Sequence, residues 1–197
     1  ISLGENANEK TIAALHEELR LDDPFLVRYG SFVWDALHGD LGESYRSGNS
    51  VWYELSFRMP NTIRITFFAT IVAVIIGISV GVLSAVKQYS IFDNIGTMIA
   101  LFGVSAPSFW IALMFVLIFA VGLGWLPAAG LKGPIYYVLP VAVLGLQQSA
   151  WVMRFTRTAM LDVIRQDYVR HGRATGEKET KIIFKYTLRN ALVPIIT

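Results

Sequence analysis

YVRHGRATGEKETKIIFKYTLRNALVP, residues 168–194, decides how the rest of the chain is read. It is basic and patterned for helix twice over. The first short run stops at Gly176, since glycine past a helix end accepts the left-handed backbone that closes it. A second run, from about Glu179 to Asn190, leads into the apolar LVPIIT at 192–197. Ile182, Ile183, Tyr186, Leu188 and Leu192 give this second run an apolar face suited to packing against spans of the same chain. The pattern is two helices with a corner, set between apolar segments.

Those flanking segments read as membrane spans. The chain is 54% hydrophobic and only 16% charged, with a positive mean hydropathy, which is rich for a soluble protein. Its uncharged runs cover 65–86, 94–131 and 133–153. A spanning helix needs about 20 residues, and the middle run is too long for one straight helix. Three spans are therefore expected at about 62–86, 96–121 and 135–160, with a wet loop from Gly122 onward. Trp125, Tyr136 and Tyr137 flank that loop as an aromatic belt would.

Charge sets the expected orientation. Residues 1–60 carry 5 basic and 10 acidic side chains, net −5, whereas 154–197 carry 9 basic and 4 acidic, net +5. The positive-inside rule puts the second segment in the cytoplasm and the first outside, and three crossings satisfy that parity. The expected divisions are an extracytoplasmic cap at 1–60, spans within 61–166, a cytoplasmic loop at 167–190 and the start of another span at 191–197. The chain begins with Ile1 and stops as an apolar segment starts, so it reads as incomplete at both ends.

Within the cap, Glu9 to Leu21 reads as an amphipathic helix with Ile12, Leu15 and Leu19 on one face. A second helix follows, with Asp23 as cap, Pro24 in its first turn and Gly39 as its close. Phe25, Tyr29, Phe32, Val33, Ala36 and Leu37 form its apolar stripe, either a docking surface or a small packed cap. GDLGESY at 39–45 is turn-rich. Its Asp40 and Glu43 lack the alternating ligand set of a calcium loop and any cause for a shifted pKa, so they read as turn residues.

The first span is expected to start near Pro60, and its Gly77 and Gly81 form a GxxxG pattern for close helix packing. In the second, Pro107 removes a backbone donor in mid-helix, giving either a hinge or a static kink. The third carries Gln147, Gln148 and Ser149 near its centre. Amides are costly in hydrocarbon, so they face water or other helices, as pathway lining or as glue. Ser105, Pro107, Gln147 and Gln148 are the candidate pathway and hinge residues.

Several functions are excluded by what the residues cannot do. Ser105 after Gly103 invites an intramembrane serine protease, but His16, His38 and His171 lie outside the expected spans, which hold no Asp, Glu or Lys to act as base. No catalytic or metal site is expected. Cysteine is absent, so thiolate ligation is too. There is no GxxxxGK[ST] loop, hence no phosphate cradle of that type, and no recognisable module for nucleic acid.

The corner residues DYVR at 167–170, RATG at 173–176 and LRNALVP at 188–194 resemble the coupling (EAA) loop of ABC importer membrane subunits, in particular the dipeptide, oligopeptide and nickel permease family. GDLGESY at 39–45, APSFW at 106–110 and GWLP at 124–127 agree, so the likeness runs nearly end to end. It implies an all-α, polytopic membrane helix bundle of the type I importer fold in a prokaryotic inner membrane. It also implies that Tyr168, Val169, Arg170, His171, Gly172, Arg173, Ala174, Thr175 and Gly176 dock a cytoplasmic ATPase, with small Gly172 and Ala174 fitting a groove. Two such ATPase subunits would hold the ATP and Mg, so this chain needs no cofactor of its own. A second permease and an extracytoplasmic binding protein complete the implied partners, with peptides, nickel complexes or other small solutes as cargo.

Two departures stand out. Gly172 occupies a usual Ala position, at a cost of roughly 1 kcal/mol in a helix. Glu177, Lys178, Glu179 and Thr180 replace an apolar residue and Ser cap. The competing class is a channel or ion-coupled transporter, which ordinarily relies on an intramembrane carboxylate or a cluster of unwound carbonyls.

Overall fold

An apolar segment in hydrocarbon must satisfy its backbone groups internally, which leaves helix as its local solution. The computed structural model of the chain describes residues 23–44 and 46–196, and these are overwhelmingly helical. Among the described residues the only extended pairing is a single bridge between Glu43 and Ser50. The helix expected at Glu9 to Leu21 lies outside them. The chain divides into two units, Ile1–Thr62 and Ile63–Thr197.

In the first unit, α1 is Phe25–Leu37. Asp23 does not cap it. Pro24 itself holds the N-cap position with an extended ψ of 142° and no side-chain bond, its fixed φ leading into the first turn. Gly39, at φ +87°, lies just past the helix, where glycine bears no Cβ penalty. Phe25, Tyr29 and Phe32 are exposed within this unit. In the loop that follows, the Asp40 carboxylate accepts from the Gly42 N–H at 2.9 Å, which accounts for it as a turn residue.

Helix α2 is Val51–Val86, so it starts eleven residues before the expected span at 62 and carries Pro60 inside it. A proline forfeits one helical bond. In the turn before it, Arg58 Nε donates to Glu54 at 2.8 Å in an i,i+4 pair.

In the second unit, α3 is Ile91–Ser105, α4 is Ser108–Phe115 continued by the π-wound turn Val116–Gly122, and α5 is Ile135–Ile164. Where one middle span was expected from about residue 96, the helix begins five residues earlier, at Ile91, and the stretch is two helices bent by 106° at the Ala106–Pro107 break. The residue before proline is driven out of the helical region, and Ala106 has ψ 134°. By length and composition α2 and α5 can each cross a membrane, and the bent α3–α4 pair can form a third crossing.

Side-chain size is sorted as a bilayer requires. Ala69, Ala73, Gly77, Gly81 and Ala85 are buried on α2, while Phe67, Phe68 and Ile75 are exposed. Small residues let helices approach, and large ones meet lipid or other chains. A Cβ on Gly77 would stand 2.5 Å from Val152 Cβ, and one on Gly81 2.6 Å from Thr156 Cβ. From the other side, a Cβ on Gly145 of α5 would meet Val72 Cγ1 at 2.8 Å. The α2–α5 crossing therefore has no room for a methyl group at three positions. On its other flank α5 carries α3 through Ala100, Ala150 and Met153.

Beyond α5 come α6, Asp167–Ala174, and α7, the helical run 179–191. Helix α7 is assembled from Glu179–Lys181, a π-wound Ile182–Leu188 and Arg189–Ala191. A last turn, Val193–Ile196, follows.

Candidate functional site

Two places combine polar chemistry with special backbone, the α6–α7 corner and the α3–α4 break. At the corner, α6 closes as a Schellman motif. The Gly176 N–H donates to the Arg173 carbonyl and the Glu177 N–H to the Gly172 carbonyl, each at 3.1 Å, with Gly176 at φ +79°. The corner is then bolted twice. Arg173 spans it with two bonds to Glu179, at 2.7 and 3.2 Å, and the Asn190 amide donates to the Tyr168 hydroxyl at 3.1 Å. The Arg173 hydrogen bonds hold the Glu179 carboxyl below the usual carboxylate range, overcoming a smaller opposing effect of burial. Lys181 pairs with Glu177 on the same side.

The nine residues singled out in sequence divide sharply here. Tyr168, Arg170, His171, Arg173, Ala174, Thr175 and Gly176 are exposed, forming one outward surface around the end of α6. Val169 and Gly172 are buried instead. Gly172, expected with Ala174 to let the short helix fit a partner's groove, packs within this chain. Its Cα faces α7, where a Cβ would lie 3.9 Å from both Ile182 and Tyr186. Of the apolar face expected on α7, Ile182 turns to this contact, while Ile183 and Leu188 pack on Ala85, Met160 and Ala191.

At the break, restarting the helix at Ser108 leaves the Ala106 carbonyl outside both ladders. The Gln147 amide donates to it at 3.3 Å. Gln147 thus bonds a neighbouring helix and also lines the cavity beneath the bend, whereas its neighbour Gln148 is exposed, and Ser105 and Pro107 are exposed beside the break. Ser149 bonds back to the Leu146 carbonyl of its own helix at 2.7 Å. An apolar cavity of about 510 Å³ opens under the bend, between Gly103, Trp110, Met114 and Ala150 among others.

One site has no local signature in the uncharged runs, because Asp93 falls between the expected spans at 62–86 and 96–121. Ser90 caps α3 by accepting from the Asp93 N–H at 3.3 Å, so the helix starts at Ile91 and takes Asp93 inside. There Asp93 is 2% exposed and receives both Nε and Nη2 of Arg157, at 2.6 and 2.8 Å. It also accepts from the Tyr89 N–H at 2.9 Å. A Ser followed three residues later by an acid, ahead of an apolar run, is the signal that locates such a helix start. Among the described residues no cluster of His, Asp or Glu has the arrangement of a metal site.

Long apolar helices crossing through small residues, one of them broken, with a hydrogen-bonded polar corner at the end of another, define an all-helical membrane protein. Comparison with known proteins resolves the class. Residues 73–197 match the family described as binding-protein-dependent transport system inner membrane component. The chain is 40% identical over 223 residues to the dipeptide transport system permease protein DppB of Alkalihalophilus pseudofirmus, covering 99% of this chain and 67% of that protein. It is 37% identical over 202 residues to a putative peptide transport system permease protein, BAB2_1050, of Brucella abortus, covering 98% and 64%. It is 36% identical over 197 residues to the glutathione transport system permease protein GsiC of Pectobacterium atrosepticum, covering 100% and 64%. The chain belongs to this family, the membrane-spanning permeases of ABC importers. It spans about two thirds of the length of these relatives.

Proposed function

We propose that this chain forms part of a permease subunit that imports peptides and takes its energy from separate ATPase subunits docked on the α6–α7 corner. The observation that carries this reading is the corner itself. Its outward residues are held by a Schellman close and two polar bolts, so they can receive a push without folding away. Relatives named for dipeptide, peptide and glutathione transport favour peptides over nickel or other small solutes as cargo.

In this reading the basic segment 154–190 is cytoplasmic and residues 1–60 lie outside. Two ATPase subunits hold ATP and Mg. Their closure moves this corner together with that of a second, related permease, and the paired spans switch a shared pathway between outward and inward opening. An extracytoplasmic binding protein delivers the solute. Chemistry on ATP stays with the partners, and this chain works as a transport subunit.

Affinity purification of the intact native subunit in mild detergent tests the docking. ATPase activity should accompany the wild type and be lost from Ala174→Arg, which places a long cation on the exposed end of α6. A folded wild-type protein that brings no ATPase would overturn the reading.

A further inference from the structure

Helix α3 is clasped to α5 at both of its ends. At the break, Gln147 donates to the Ala106 carbonyl. At the other end, Arg157 closes its fork on both oxygens of Asp93. Between the two joints the helices meet at glycine, since a Cβ on Gly103 of α3 would meet Ala150 Cβ at 3.2 Å and one on Gly96 would meet Met153 Cε at 3.4 Å.

Contacts between small apolar side chains resist separation but offer little against sliding along the helix. A two-pronged guanidinium–carboxylate pair fixes angle as well as distance. Asp93 is buried, so losing the fork would strand a charge with no water to receive it. Its second bond, to the Tyr89 N–H, anchors the loop entering α3, where Tyr89 sits at φ +63°, a conformation rare outside glycine. Arg157 lies seven residues before α5 ends at Ile164, about 10 Å along the axis. Helix α6 begins at Asp167, three residues later.

We infer that the Asp93–Arg157 pair is a positioning element that locks α3 and α5 into one lever, so that displacement of the corner reaches the break before α4. The inference rests on the ATPase-driven reading above. Asp93 and Arg157 touch neither solute nor ATPase in this scheme. They determine how much of the corner's movement arrives at the pathway.

The test uses the full permease complex in proteoliposomes, with Phe109→Cys as a reporter. Phe109 is exposed in the first turn of α4, beyond the break, and none of the 197 residues is cysteine. Its labelling rate by a soluble maleimide is compared with and without ATP plus vanadate. In the otherwise wild-type complex the rate should change with nucleotide state. Adding Asp93→Asn should shrink that change about fivefold or more while the ATPase stays bound and hydrolyses ATP. An undiminished change in Asp93→Asn would overturn the inference. Should that variant fail to assemble, Arg157→Lys, which keeps the charge but loses the fork, is read the same way, with the same two outcomes. A reporter complex that binds no ATPase, or labels identically in both states, would instead overturn the underlying reading and the inference with it.

Discussion

Two of the places where helices meet through glycine in the second unit behave as opposites. At the α2–α5 crossing, Gly77 and Gly81 leave no room, with Val152, Thr156 and the Ser149 and Met153 carbonyls where a side chain would stand. At the α6–α7 corner, Gly172 faces Ile182 and Tyr186 across a gap that a methyl group would fill at ordinary contact distance. The crossing is marked by close approach at its glycines, whereas the corner is held by polar bolts around a looser centre. Glycine is thus obligatory in the first and merely tolerated in the second. Steric closeness sets how near two helices lie; a surface that meets another protein gains more from bonds fixing its orientation.

The largest effect is expected from Gly77→Leu. A branched side chain aimed at backbone 2.9 Å from its Cβ forces α2 and α5 apart, beyond the roughly 1–3 kcal/mol of ordinary overpacking. Loss of folded, detergent-stable protein by size-exclusion profile is the outcome to look for. Near-normal yield and melting temperature would show that the crossing yields easily and would dissolve the contrast.

Gly172→Ala should move stability the other way. Helix propensity favours Ala by about 0.8–1 kcal/mol, and here the methyl group finds space, so the melting temperature should rise slightly. A fall would mean that the corner is as tightly closed as the crossing.

The smallest effect concerns pH. Arg173 lowers the folded-state pKa of Glu179 relative to the unfolded chain. The stabilisation from that pair is therefore fully present above the ordinary glutamate value of about 4.3 and is lost as pH falls through the lowered folded value. Because Glu179 is largely solvent-exposed, screening keeps the effect small. Amide exchange at Gly176 and Glu177, corrected for intrinsic rates, should lose protection below pH 4 while the α2–α5 crossing keeps its own. Constant protection across that range would show that the Schellman close holds the corner without the bolt.

Much of this was legible along the chain. Gly176 as the stop of α6 follows from its position after a helical run, and the small-residue face of α2 is visible in the four-residue spacing of Gly77 and Gly81. The start of α3 was hidden because reading by uncharged runs treats Asp93 as a boundary, when its charge is neutralised by a residue 64 positions away. Pro60 misled in the same manner, since a proline marks a helix start in sequence but costs a long helix only one bond. Gln147 could be read as lining or as glue, and nothing local chose between them.

By itself the sequence determined what is local and additive: that apolar runs become helices, that Pro107 interrupts one of them, and that a glycine closes α6. Backbone geometry and hydrophobic length suffice for these, and each involves neighbours along the chain. Only the tertiary structure decided which carboxylate meets which guanidinium, which glycine has no space beside it, and which amide tends the broken helix. Those outcomes depend on distances of a few ångströms between helices far apart in sequence, where a single turn of rotation exchanges one partner for another.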